Sequence, residues 1–209
     1  MHLLWPLALW STLLPQGARP ADVLTHVATK RPVIAITIND GPDGQVVPQM
    51  LRLLRSRGAQ ATFFVSGTAI ADDPQMLLEI QAARCEVGNH GYHHLSLQGL
   101  PRGRVSSEVS RTDRLIADAL GSGPRFLRPP FGRADRTLQR VAKQEGERLA
   151  LWNVGGTDET VHVWPRRLHP GDIIALRDDP EGLRRLAQAL DIAGRLKLRP
   201  VTLSQMLRG

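Results

Sequence analysis

Val33-Ile34-Ala35-Ile36-Thr37-Ile38-Asn39-Asp40-Gly41-Pro42 is the stretch on which the fold turns. Residues 33–38 are β-branched or apolar throughout, which suits a short strand covered on both faces, and Gly41-Pro42 force a loop directly after it. Working outward, a helical pattern carries Met50, Leu51, Leu53 and Leu54 and stops at Gly58, and Ala61-Thr62-Phe63-Phe64-Val65 reads as a second strand. Further helices are expected over 74–83, 105–120, 134–145 and 181–193, with strands over 85–88, 126–128, 149–154 and 172–176. Strands alternating with helices imply an α/β protein built on a parallel sheet or barrel. Six or seven strands, each followed by a helix or loop, predict a small or distorted (β/α) barrel, with functional residues at the C-terminal strand ends.

The chain has 209 residues, 42% of them apolar, which is enough for one domain with one sizeable core. That domain is expected over 30–209, behind an apolar leader over 1–21. Residues 3–10, Leu-Leu-Trp-Pro-Leu-Ala-Leu-Trp, have the length of a secretory h-region, and Gly17-Ala18 offer small residues for a cleavage site. This predicts a signal peptide and export to the periplasm, cell wall or medium. The alternative is a retained apolar arm, since the n-region offers only the terminal amine and His2, and Gln16 is large for its position. No transmembrane span is expected: the leader is interrupted by Pro6 and Ser11-Thr12 and falls short of the roughly 20 apolar residues a spanning helix needs.

A net charge of +7 is compatible with an anionic partner. Nucleic acid is not the expected one, because the 27 basic residues include only three lysines and form neither a tract nor an aromatic-interleaved platform. Cys85, the single cysteine, lies in the predicted strand Arg84-Cys85-Glu86-Val87-Gly88 and reads as a packed small hydrophobe.

Three strand ends hold chemistry-bearing groups: Asp40 after the first strand, His90 and His94 after the Cys85 strand, and Arg128 after the strand at 126–128. If 90–94 is a helical turn, the i, i+4 spacing puts both imidazoles on one face, where a carboxylate from another strand end completes three ligands for a cation. Three protein ligands and an open position form the pattern of a hydrolytic metal centre.

In order, the chain reads Thr37-Ile38-Asn39-Asp40-Gly41-Pro42, Ala61-Thr62-Phe63-Phe64-Val65, Glu86-Val87-Gly88-Asn89-His90-Gly91-Tyr92-His93-His94, Arg128-Pro129-Pro130-Phe131-Gly132, Leu151-Trp152 and Gly171-Asp172-Ile173-Ile174-Ala175-Leu176. This succession, over about 32–207, resembles the motifs of the polysaccharide deacetylases, the NodB-type carbohydrate esterases of family 4. The resemblance implies a distorted (β/α) barrel and metal-dependent hydrolysis of N- or O-acetyl groups on a glycan such as peptidoglycan, chitin or xylan. It implies Asp40, His90 and His94 as ligands of a divalent metal, zinc for preference, and Arg128 as the partner of the catalytic base. Pro130, Phe131 and Trp152 would line the acetyl-binding groove.

The proton-transfer positions depart from that pattern. Asn39 stands where the family has its general base, and an amide can accept a hydrogen bond from a water but not its proton. Arg177 stands where the family has its acidic His, and a guanidinium keeps its proton near neutrality. The Asp that orients that His corresponds to Gly155 or, with a shifted alignment, Asp158; His93, His162 and His169 are candidate stand-ins. The expected function is a weakened or altered metal-dependent deacetylase, a hydrolase of non-peptide carbon–nitrogen or ester bonds. The alternative is an inactive protein of the same fold that binds glycan or a small anion. Arg177 either adds positive charge to the pocket or turns to Asp178 or Asp179 as a surface ion pair.

Overall fold

The structure is a computed structural model that describes residues 23–156 and 167–208; the leader lies outside the described residues. The elements run β1 (Val23–Leu24), β2 (Val33–Asn39), α1 (Val47–Ser56), β3 (Thr62–Val65), α2 (Gly67–Asp72), α3 (Gln75–Ala82), β4 (Glu86–Asn89) and α4 (Arg102–Leu120). They continue with β5 (Phe126–Leu127), α5 (Arg136–Gln144), β6 (Arg148–Ala150), β7 (Val154–Gly155), β8 (Ile173–Arg177), α6 (Pro180–Arg195), β9 (Arg199–Val201) and α7 (Leu203–Leu207). The strands make one parallel sheet, ordered β1-β6-β5-β4-β3-β2-β8-β7, with β9 also paired to β2. This is the distorted (β/α) barrel the sequence implies.

β2 shows why. All seven of its residues are buried, as in a strand covered on both faces. Ile34, Ile36 and Ile38 face outward into a cluster with Met50 and Leu54 of α1, Ile80 of α3, and Leu186 and Leu190 of α6. Val33 and Ala35 face inward against Phe64, Phe126, Ala150 and Ile173. Each fully buried isoleucine contributes about 1.5–3 kcal/mol relative to exposure. By strand alternation Thr37 and Asn39 continue the inner face, so β2 turns polar toward its C-terminal end.

The sheet has more strands than the six or seven expected. β1 and β9 are too short to show a period, and the expected strand over 149–154 is two strands. Between them the backbone changes partner: the Leu151 amide donates to the Leu24 carbonyl, and the Asn153 amide to the Ile173 carbonyl. Helices α2 and α7, of six and five residues, also left no readable pattern. α1 buries Val47, Met50, Leu51 and Leu54, the one-faced spacing of an amphipathic helix. α6 starts on Asp179, whose side chain accepts from the Gly182 amide at 2.6 Å, with Pro180 in the first turn. That cap fixes the path of the chain just after Arg177.

Cys85 is buried as expected, and burial pushes its thiol up to about 11, which leaves it inert. Among the described residues no helix is long and apolar enough to cross a membrane.

Candidate active site

Asp40 is the first residue beyond β2, and His90 the first beyond β4. Asp40 Oδ1 lies 3.3 Å from His90 Nε2 and 3.1 Å from His94 Nε2, and one ligand atom from each of the three residues falls within 4.8 Å of the others. His90 Nδ1 sits 2.7 Å from the Arg128 carbonyl oxygen, an acceptor, so Nδ1 carries the proton and Nε2 presents its lone pair to Asp40. Burial lowers the pKa of His90 against the pull of Asp40, which disfavours a second proton. Burial alone would raise the Asp40 carboxyl, but the two facing imidazoles, His90 and His94, hold it well below the usual range. Lone pairs pointed at one another repel unless positive charge lies between them. Two imidazole nitrogens and a carboxylate oxygen are a donor set that fits zinc and similar divalent ions.

The convergence does not come from the expected helical turn. Residues 90–94 form a loop, with Gly91 at φ +80° and His94 at φ +52°. The backbone groups that a helix would use are spent elsewhere. Gly91 N donates to Asn89 Oδ1 at 2.7 Å, the Gly91 and Tyr92 carbonyls accept from Gly67 and Thr68, and the Tyr92 and His93 amides donate to Glu108 Oε2. Asp40 itself has φ +84° and Phe131 φ +59°. Left-handed backbone costs a non-glycine residue about 1–2 kcal/mol, and here it falls on two members of the donor set and on a neighbouring aromatic.

Arg128 is fully buried. Its guanidinium donates to the Ala150 and Leu151 carbonyls at 2.8 Å, to Thr37 Oγ1 at 2.5 Å and to Asn39 Oδ1 at 2.8 Å, and it lies 4.1 Å from the Phe64 ring centroid. Burial pulls it down to about 9, partly offset by Asp40, so it stays charged at neutral pH. The Asn39 amide is thereby oriented. Its oxygen accepts from Arg128, and its buried Nδ2 has no partner among the described residues.

Arg177 meets both alternatives left open for it: Nε lies 2.9 Å from Asp40 Oδ2 in the pocket and 3.4 Å from Asp179 Oδ2. Asp178 turns away and accepts from the Asp43 amide at 2.7 Å. Burial, joined by the charges of Asp40 and Asp43, pushes the Asp178 carboxyl up to about 7.

Among the described residues neither candidate stand-in joins the donor set. His93 Nδ1 is 2.8 Å from Glu108 Oε1 on α4, and His169 lies beyond the opposite end of β8, where its amide donates to Asp172. His162 and Asp158 are outside the described residues. Gly155 has φ +76°, and a Cβ there would sit 2.7 Å from the Ala175 carbonyl oxygen, so no aspartate fits in its place. Of the expected groove residues, Phe131 is 42% exposed with its ring 5.2 Å from that of His94. Trp152 is half-buried, with its ring 5.4 Å from the Arg128 guanidinium, and Pro130 is buried beside Gly91. Phe131 and Trp152 can meet a ligand, whereas Pro130 supports the histidine loop.

Sequence reasoning missed Glu108, Asn89 and Thr37, the groups that hold the site in shape. Glu108 had a readable signal: it interrupts the buried stripe of Val105, Val109 and Thr112 on α4, and a charge there needs partners.

A family model described as polysaccharide deacetylase matches residues 26–150. A peptidoglycan-N-acetylglucosamine deacetylase of Bacillus cereus is 28% identical over 94% of this chain and 98% of its own length. A family 4 carbohydrate esterase from Streptomyces lividans, solved in complex with acetate, superposes with a TM-score of 0.74 at 29% identity, covering 80% of this chain and 91% of that one. A CE4 family pseudoenzyme from Bacillus anthracis superposes with a TM-score of 0.79 at 21% identity, over 88% of this chain and 68% of the other, a likeness of fold.

Proposed function

Because this chain belongs to the polysaccharide deacetylase family, a family of hydrolases, we propose that it is a metal-dependent deacetylase of N- or O-acetyl groups on a glycan of the peptidoglycan, chitin or xylan type, with weakened or altered activity. The observation that carries this reading is the convergence of Asp40 Oδ1 with His90 Nε2 and His94 Nε2, with His90 fixed in the right tautomer by the Arg128 carbonyl. These three residues would hold a divalent cation, zinc for preference. When bound, such a cation supplies a Lewis acid that polarises an acetyl carbonyl and activates water.

The chain's own groups do the rest. Phe131 and Trp152 offer apolar faces to the acetyl group. Arg128 holds the Asn39 oxygen, and an amide at this place takes no proton from water. Arg177, permanently charged, cannot protonate a leaving amine. A missing general acid or base each costs about 10²–10⁴ in rate. The same observations favour a second reading, an inactive protein that binds acetylated glycan or a small anion at this mouth. The domain over 30–209, behind a cleaved leader over 1–21 that directs export, belongs to the proposal, and a wall-type glycan substrate agrees with it.

The test is metal analysis of the purified chain together with acetate release from a panel of acetylated glycans. Stoichiometric metal with slow acetate release supports the enzyme, and metal without acetate supports the binder. Absence of both would remove the site assignment.

A further inference from the structure

We propose that Asn39 Nδ2 and the terminal nitrogens of Arg177 form a carboxylate-binding subsite at the barrel mouth, so that this chain takes a glycan carrying a sugar carboxylate beside the acetylated group. The inference rests on the reading above and narrows its substrate class.

Asn39 and Arg177 are register partners on the adjacent parallel strands β2 and β8. Register partners project to the same face, and that face is the inner one: Ala35 and its partner Ile173 belong to the interior cluster. The two side chains therefore leave the sheet side by side at its C-terminal edge, where the Asp40 group also sits.

Each has a donor to spare. The Asn39 side chain is 1% exposed; its oxygen is taken by Arg128, and flipping the amide would set N–H against N–H, so Nδ2 is the arm left without an acceptor among the described residues. A buried amide N–H without a partner is unfavourable, and an oxygen ligand would satisfy it. Arg177 meets Asp40 and Asp179 through Nε, its side chain is half exposed, and no hydrogen bond among the described residues uses its terminal nitrogens. Asp179 is itself fixed as the α6 cap, so the guanidinium is held from behind by two carboxylates. A planar guanidinium fork with a neighbouring amide donor recognises a carboxylate, and each such charge-assisted hydrogen bond is about twice as strong as a neutral one. Where a proton relay would need an acceptor and a proton donor that titrates, Asn39 Nδ2 and Arg177 are fixed donors.

The experiment is calorimetric titration of the protein with methyl glucuronide, its neutral counterpart methyl glucoside, and acetate. It compares native protein with Arg177→Gln, Arg177→Lys and Asn39→Asp variants of verified fold and equal metal content. Methyl glucuronide should bind native protein about tenfold or more tighter than methyl glucoside, and this preference should vanish in Arg177→Gln and Asn39→Asp and partly survive in Arg177→Lys. An equal preference in native protein and Arg177→Gln overturns the proposal. So does a loss confined to acetate, which would mean that the subsite holds only the small product anion. Metal content and acetate release from a neutral acetylated glycan, measured in parallel, report on the deacetylase reading separately.

Discussion

At the mouth of this barrel, two neighbouring groups of side chains have been treated differently. In one, Asp40, His90 and His94 converge, His90 is fixed through its far nitrogen, and the loop that carries the histidines is clamped by Asn89 and Glu108. In the other, Asn39 and Arg177 stand side by side on β2 and β8, hold no proton that moves near neutrality, and leave donors unmatched among the described residues. On the reading proposed above, the first group would hold a cation and the second an oxygen ligand. Intact surroundings for metal therefore say little about whether the proton-transfer chemistry of the same fold has been kept.

The largest effect should come from erasing that difference. The double variant Asn39→Asp with Arg177→His returns a carboxylate beside Arg128 and an imidazole at the end of β8, and acetate release should rise by about 10²–10⁴ over native protein. Asn39→Asp also gives buried Arg128 a carboxylate partner, so this change should not destabilise the fold. Adding Gly155→Asp should cost stability without raising the rate, because its Cβ has no room beside Ala175. Kinetics on a metal-loaded protein decide the matter, and an unchanged rate in the double variant would mean that the groove no longer admits an acetylated sugar.

A smaller effect should come from loosening the metal group from behind. Glu108→Ala leaves the Tyr92 and His93 amides and the His93 ring without their shared acceptor, and zinc affinity should fall about 10–100-fold although Glu108 is no ligand. His93→Ala should cost less, since it keeps the backbone clamp. Calorimetry that finds zinc bound equally well by folded Glu108→Ala would show the histidine loop to be shaped by something else.

The smallest effect should lie away from the mouth, where an orphaned group has no converging neighbours. Among the described residues both carboxyl oxygens of buried Glu147 lack partners, and burial, with the charges of Asp113 and Glu145, holds its pKa well above the ordinary value. A carboxyl raised on folding adds stability that is fully present below its unfolded pKa and is lost as pH rises through the folded one. Glu147→Met should therefore stabilise the protein by about 1–3 kcal/mol at pH 8 and by less near pH 4. Denaturant unfolding at the two pH values checks this, and an equal gain at both would exclude ionisation as the cause.

How much of this was legible in the sequence divides along physical lines. β2 could be read because a doubly covered strand must be apolar throughout, and Asp40, His90 and His94 because they stand at strand ends in motif order. The route by which they meet was not legible. A spacing of four suggested a helical turn, whereas the contacts of Asn89, Gly67 and Glu108 draw the backbone into a left-handed loop. The substitutions at 39 and 177 could be seen, but not what the new side chains hold, because the Arg128 and Arg177 partners come from strands far apart in the chain. β1 and β9 are two or three residues long and are strands only by virtue of their neighbours.

The account's central claim is that the metal half of the site works while the proton-transfer half has changed its task. Its most direct test is zinc calorimetry on native protein and on His94→Ala, with acetate release followed on the same samples. The account predicts one zinc per native chain, slow acetate release, and loss of both in His94→Ala. Zinc bound with unchanged stoichiometry and affinity by His94→Ala would contradict it.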